Sequence, residues 1–291
     1  MGFRFLKPSA TEILENQQIR KIKSPTRGPF VVAVLNHKSS GKTTVSTGTG
    51  SIMAKYRGIG KVFAIDADIA FGNMAERVSH PPASSFRELL AGGGALPNAS
   101  ALREHVGMTN DGLWMIGGET DTAPDARAMT PDELHQLVDI AKQWFDVIFL
   151  DCTNDLRTPM VQAVVSEANA VIIPAAMRLD SVRGALTTLD HLEEAGYSEL
   201  VRQAVVVLSD IYKEGSDNKV ARRLEAKFGS TVRAIRVLDH DPHIAQAGPI
   251  ETEQMTLKNQ LSLTTIAALL AELFSAAADR GQATRTDGGT Y

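Results

Sequence analysis

One stretch, Val31–Val45 (VVAVLNHKSSGKTTV), constrains the fold more than any other part of the chain. It reads as an apolar, β-branched strand, a Lys/Ser/Gly turn, and Gly41-Lys42-Thr43-Thr44 opening a helix over Lys42–Tyr56. Backbone N–H groups in such a loop, with the helix N-terminus behind it, receive an anion. In that arrangement Lys42 reaches the β- and γ-phosphates of a nucleotide and the Thr43 hydroxyl ligands Mg2+. The full pattern has a glycine five positions before its second one, and here that position is Asn36. A Gly/Ser turn between strand and helix needs no ligand, so the strand before and the helix after carry the reading.

From Phe30 onward short apolar runs alternate with helical patterns, the signature of βαβ units and a doubly wound, mostly parallel α/β sheet with helices on both faces. Seven strands are expected: Phe30–Leu35, Lys61–Ile65, Leu113–Ile116, Val147–Leu150, Ala170–Ile173, Ala204–Leu208 and Val232–Val237. Their runs are apolar on both faces, as in a sheet covered by helices on each side. Thr130-Pro131-Asp132-Glu133 is a capping box with proline at the first helical position. Further helices are expected at Asp180–Glu194, Asp217–Phe228 and Leu261–Ala278, and a loop at Gly92–Gly94. Residues 1–29 form a basic extension, either an arm or a strap with a short helix at Ala10–Ile22. The nucleotide-binding domain spans 30–279, and 280–291 is a polar, Gly/Thr-rich tail.

Three carboxylates follow apolar runs. Asp66 and Asp68, in VFAIDADIAFGN, point the same way along an extended chain, and Asp151 ends VIFLD. Carboxyl ends of strands form the ligand crevice of doubly wound sheets, so all three should converge on the loop. A single Asp after a strand is commonly a turn residue. Three of them in a chain with GKTT make that reading unattractive.

With these residues in place, the chain resembles the ParA/MinD class of phosphate-loop ATPases. Their loop reads Lys-Gly-Gly-x-Gly-Lys-Thr-Thr, followed by a strand ending Asp-x-Asp and a later one ending in Asp. SPTRGPFVVAVLNHK, DHLEEAGYSELVRQAVVVLS and VLDHDPHIAQAGPI are similar in texture to MinD-like ATPases of actinobacterial type VII secretion loci. The resemblance implies ATP or ADP with Mg2+, bound by Lys38, Ser39, Ser40, Gly41, Lys42, Thr43 and Thr44. Lys42 would be the phosphate lysine; Asp68 would position or activate the attacking water. Thr43, Asp66 and Asp151 would serve the metal. It also implies a lysine reaching across a nucleotide-bridged homodimer, for which Lys38 is the candidate, displaced by one position. The class position for that lysine holds His37, with Lys38 and Ser39 where two glycines stand; the alternative is a loop one residue shorter. Ser209-Asp210 and Asp239–Pro242 fall where the class makes its adenine contacts, and a partner protein would stimulate hydrolysis.

Composition narrows the partners. A net charge of −4 gives no global pull toward nucleic acid or acidic membrane. One cysteine, Cys152, excludes an internal disulfide framework and suits a reducing cytoplasm; it reads as a small buried residue. No N-terminal signal pattern and no apolar run of about 18 residues are found, so a soluble cytoplasmic protein without stable membrane insertion is expected. Lys219, Arg222, Arg223 and Lys227 share one face of an expected helix, suited to phosphate-directed contact with duplex DNA or to solvent. The last helix has a single charge, Glu272, and lacks the basic face of a membrane-surface helix, so it should pack on the sheet. Trp114 and Trp144 read as core packing.

The leading expectation is therefore an ATP-hydrolysing, nucleotide-switched dimer working in DNA partition or type VII secretion. The alternative is a regulatory scaffold on the same fold, its catalysis impaired by the altered loop. A metabolic phosphate-loop kinase is weaker, since no second substrate site or arginine-rich lid is evident.

Overall fold

Alternation of side chains along the first strand sorts the molecule into two layers. The computed structural model describes residues 9–36, 40–67, 74–91, 99–117, 129–152, 157–213, 226 and 229–275. In β1 (Phe30–Val34) Phe30, Val32 and Val34 face one apolar cluster, while Val31 and Ala33 face another. The same split runs through β2 (Val62–Ala67) and β5 (Val147–Cys152), whose residues are all buried. A sheet apolar on both faces must be covered on both.

Eight strands are seen among the described residues, in the order β3-β4-β2-β5-β1-β6-β7-β8. The remaining strands are β3 (Gly107–Met108), β4 (Trp114–Ile116), β6 (Ala170–Ala176), β7 (Val205–Ser209) and β8 (Ala234–Leu238). All pairings are parallel except β3 against β4. The seven expected strands are present. The eighth, β3, is a two-residue antiparallel edge, too short to leave a period in the sequence.

One face carries α5 (Pro131–Lys142), α6 (Pro159–Glu167), α7 (Leu179–Glu194) and α8 (Ser198–Gln203). The capping box at Thr130 forms as read, with Thr130 Oγ1 accepting from Glu133 N and Glu133 accepting from Thr130 N. The other face carries α2 (Lys42–Arg57) and the last helix, α9 (Leu257–Ala271). Helices α3 (Phe86–Ala91) and α4 (Ala99–Arg103) are short. The last helix begins four residues before the expected Leu261, because Thr256 caps it by accepting from Asn259 N, and its regular turns stop at Ala271. It packs on the sheet and on α2, where Leu263 lies against Gly48.

Helix α1 (Ala10–Ile22) has the expected bounds and is a strap. Ile22 is fully buried, Gln18 donates to Thr265 Oγ1 at 2.8 Å, and Lys21 pairs with Glu272 at 2.5 Å. Arg57 closes the strap. It donates to Ile22 O and Ser24 O at 2.7 and 2.8 Å, reaches Asp146 Oδ2 at 2.8 Å, and lies over the Phe274 ring. Trp114 packs edge-on to Phe145, and Trp144 packs against the same core. Cys152 is buried. Among the described residues no helix is long and apolar enough to cross a membrane. The expected loop at Gly92–Gly94, the helix at 217–228 apart from Ala226, with Lys219, Arg222, Arg223 and Lys227, and the tail from 280 lie outside the described residues.

Candidate functional site

The chain leaves β1 through Leu35 and Asn36, both fully buried. Asn36, at the first-glycine position, is a structural tie. Its Nδ2 donates to Pro174 O of β6 at 2.5 Å, and its Oδ1 accepts from Thr188 of α7 at 3.2 Å. An asparagine there fastens the start of the loop to the neighbouring strand and to the opposite helical layer. His37, Lys38 and Ser39 lie outside the described residues.

Ser40 is fully buried, and Gly41 holds φ at +83°, where glycine is strongly favoured. A Cβ on Gly41 would sit 3.5 Å from Ile211 Cδ1 and 3.7 Å from Ser209 Oγ. The loop therefore ends against the carboxyl end of β7. Helix α2 starts at once, with Lys42 buried and Thr43 and Thr44 half-buried. Neither Ser40 Oγ nor Ser209 Oγ has a hydrogen-bond partner among the described residues. Two orphaned hydroxyls beside a left-handed glycine and a helix N-terminus fit an anion with acceptor oxygens.

Asp66 and Asp151 stand side by side. They are register partners on β2 and β5, and Asp151 is also the partner of Val34 on β1. Each is 2% exposed. Neighbouring strands lie about 4.8 Å apart, so two carboxylates share one buried edge beside the loop. Asp66 Oδ2 also accepts from Met74 N at 3.0 Å, fixing the 3-10 turn Met74–Arg77. Hard oxygen donors of this kind suit Mg2+, which keeps several waters and takes one or two carboxylates plus phosphate oxygens. Among the described residues no three acidic, His or Cys side chains are placed to hold a metal ion by themselves. Asp66, Asp151 and the Thr43 hydroxyl are the donors that fit such an ion. Asp68 lies outside the described residues.

A cleft of about 360 Å3 opens from Gly41 and Thr44. Of the residues proposed for adenine contact, Ser209, Asp210, Asp239, His240 and Asp241 line it; Pro242 is not part of the lining. Ile211, Tyr212, Leu238 and Ile244 add apolar walls for a flat ring. Asp241 organises the base of the cleft. Burial pushes its carboxyl up, but donors from Thr256, Asn259 and His243 N outweigh this and hold it below the usual carboxylate range. Asn259 locks the adjoining backbone by accepting from Asp239 N and donating to Asp239 O, both at 2.9 Å. Arg77, Ile211 and Tyr212 are lining residues that sequence reading missed. The pair Ile211-Tyr212, one residue past β7, was a usable signal; Arg77, in a 3-10 turn, left none.

No protein-family model matches the chain. It is 27% identical over 263 residues to the ESX-1 secretion-associated protein EspI of Mycobacterium tuberculosis, the same figure for strains CDC 1551 and H37Rv. That match covers 89% of this chain but 39% of EspI, so the chain spans about two fifths of the curated relatives' length. Among solved structures, Pyrococcus horikoshii MinD complexed with Mg-ADP superposes with a TM-score of 0.60 at 18% identity, covering 89% of this chain and 99% of that one. A ParA family ATPase from Chlorobium tepidum gives 0.57 at 14% identity, covering 86% and 98%. The fold is that of the MinD/ParA phosphate-loop ATPases.

Proposed function

We propose that this chain binds ATP with Mg2+ and hydrolyses it as a nucleotide-switched dimer. One observation carries the reading: Asp66 and Asp151 are register partners near the carboxyl ends of adjacent strands, and Asp151 is also level with Val34, where β1 ends before Gly41 caps the helix that opens with Lys42. Lys38, Ser39, Ser40, Gly41, Lys42, Thr43 and Thr44 would cradle the phosphates, and Ser209 the far end of the nucleotide. Lys42 would hold the β- and γ-phosphates. Thr43, Asp66 and Asp151 would hold the metal, directly or through water, and the ion would neutralise charge developing on the phosphates. Asp68 would orient the attacking water and accept its proton. Lys38 would meet the partner subunit's nucleotide. The reaction would be slow and mostly electrostatic, since phosphoryl transfer asks the protein for positioning more than covalent chemistry.

Dimerisation is supported by two exposed side chains in the cleft lining, Ile211 and Tyr212, at 39% and 50% exposure. Arg178 stacks over Tyr212 there. Apolar side chains gathered beside a ligand cleft suit a partner that closes over it. The likeness to EspI supports a role connected with secretion, and a partner protein would stimulate hydrolysis. Partition of duplex DNA through Lys219, Arg222, Arg223 and Lys227 is the other use of the same switch. A salt-sensitive shift of duplex DNA would favour it, and no shift at low salt would count against it.

A second reading, a scaffold with impaired catalysis, is favoured by Asn36. That residue is committed to holding β6 and α7 where a glycine would leave the loop unconstrained. The test is phosphate release from ATP and Mg2+ by the wild type and by Asp68→Ala. The proposal expects slow release by the wild type, and ATP binding without release by Asp68→Ala. Binding without release by the wild type gives the scaffold reading, and undiminished release by Asp68→Ala removes Asp68 from its role.

A further inference from the structure

The nucleotide cleft contains a cation that the loop motif does not account for. Arg77 ends the 3-10 turn that Asp66 anchors, and it lines the cleft together with Gly41 and Thr44. Its backbone is committed, since Arg77 O accepts from Ile250 N at 2.9 Å. Its guanidinium is not. Among the described residues the one acceptor it meets is Gly248 O, at 3.4 Å, beyond the usual 2.7–3.2 Å range.

Two of the three acids that line the same cleft, Asp241 and Asp239, have their own partners. Asp241 accepts from His243 N and Ile244 N on one oxygen, and from Thr256 and Asn259 on the other. Asp239 pairs with Lys258 at 2.6 Å. Burial pushes the Arg77 guanidinium below the usual arginine value, and the neighbouring Glu76 offsets this only in part. A partly desolvated guanidinium with donors to spare, opening on a cleft, is suited to a phosphate, which its planar fork matches two oxygens at a time.

Position selects which phosphate. If Lys42 and Thr43 take the β- and γ-phosphates, the next phosphorus toward the cleft's apolar end would pass Thr44, and Arg77 shares the lining of that cleft with Thr44. We infer that Arg77 grips the α-phosphate of the bound adenine nucleotide and so joins the phosphate loop to the base pocket. This rests on the nucleotide-binding reading above.

The test is displacement of a fluorescent ADP by adenosine, AMP and ADP, without hydrolysis, for the wild type, Arg77→Met and Arg77→Lys, beside each protein's unliganded thermal unfolding. In the wild type, AMP should bind more tightly than adenosine. Arg77→Met should weaken AMP and ADP about tenfold to a hundredfold, the range for a charged hydrogen bond. It should leave adenosine, and the further gain from AMP to ADP, unchanged; Arg77→Lys should recover part of the loss. Equal loss for adenosine and AMP would overturn the inference, assigning Arg77 to the base wall. So would unchanged AMP affinity in a normally folded Arg77→Met. A wild type that binds fluorescent ADP not at all would overturn the nucleotide reading itself. If Arg77→Met does not fold, Arg77→Lys decides: a selective loss for AMP over adenosine supports the inference, and no selective loss overturns it.

Discussion

Replacing Arg57 with methionine should detach the N-terminal strap while leaving the sheet intact. The guanidinium is nearly enclosed, its side chain 6% exposed, and makes three charged hydrogen bonds. Two of these satisfy carbonyls at the end of α1, and the third reaches Asp146 at the foot of β5. Removing one partner of a buried charge pair costs about 3–5 kcal/mol. Asp146 is 32% exposed, so water can reach it and the low end, about 3 kcal/mol, applies. Methionine keeps the stem volume and a contact with Phe274. At roughly 2–4 °C per kcal/mol for a domain near this size, the melting temperature should fall about 6–12 °C. Trypsin should cut the Arg20–Arg27 segment of the variant well below that temperature, with residues 30–275 surviving longer. An Arg57→Met protein that melts with the wild type and keeps its strap uncut would refute the reasoning.

Two further outcomes follow from single residues. Asn36→Ala strips the Pro174 carbonyl of its donor and removes one of the two acceptors of Thr188, which keeps Gly184 O, so the denaturant midpoint should fall by the equivalent of about 1–3 kcal/mol. An unshifted midpoint would show that the tie is dispensable. Asp241 has a folded pKa below its unfolded value, about 3.9, so its stabilisation is present above about pH 4 and is lost as pH falls through the folded value. Asp241→Asn should lower stability at neutral pH and flatten the decline between pH 5 and pH 3. A decline as steep as the wild type's would remove Asp241 as its source.

Much of the fold was legible because it is written in local chemistry. The seven apolar runs, the Thr130 capping box and the strand–GKTT–helix order each state one element, and the parallel sheet follows from their alternation. Asp66 and Asp151 were legible as strand-end acids, although both strands run one residue past them. Elements that depend on distant partners were not. Gln18 is buried because Thr265 receives its amide, and a polar residue inside an apolar contact leaves no hydrophobic period. The edge strand β3 exists through pairing with β4 and a bridge from His80 to Met108. The early start of α9 depends on Thr256, which serves both as its cap and as a donor to Asp241. At the site, Asn36 read as a flaw in a motif, and only its position against Pro174 and Thr188 gives it a role.

The central claim, that the altered loop still receives ATP, is tested most directly by calorimetric titration of the protein with ATP and Mg2+ beside a Lys42→Ala control. The account predicts saturable binding by the wild type and its loss in the control. Binding that survives without Lys42, or a wild type that gives no heat and no protection from unfolding by ATP, would contradict it.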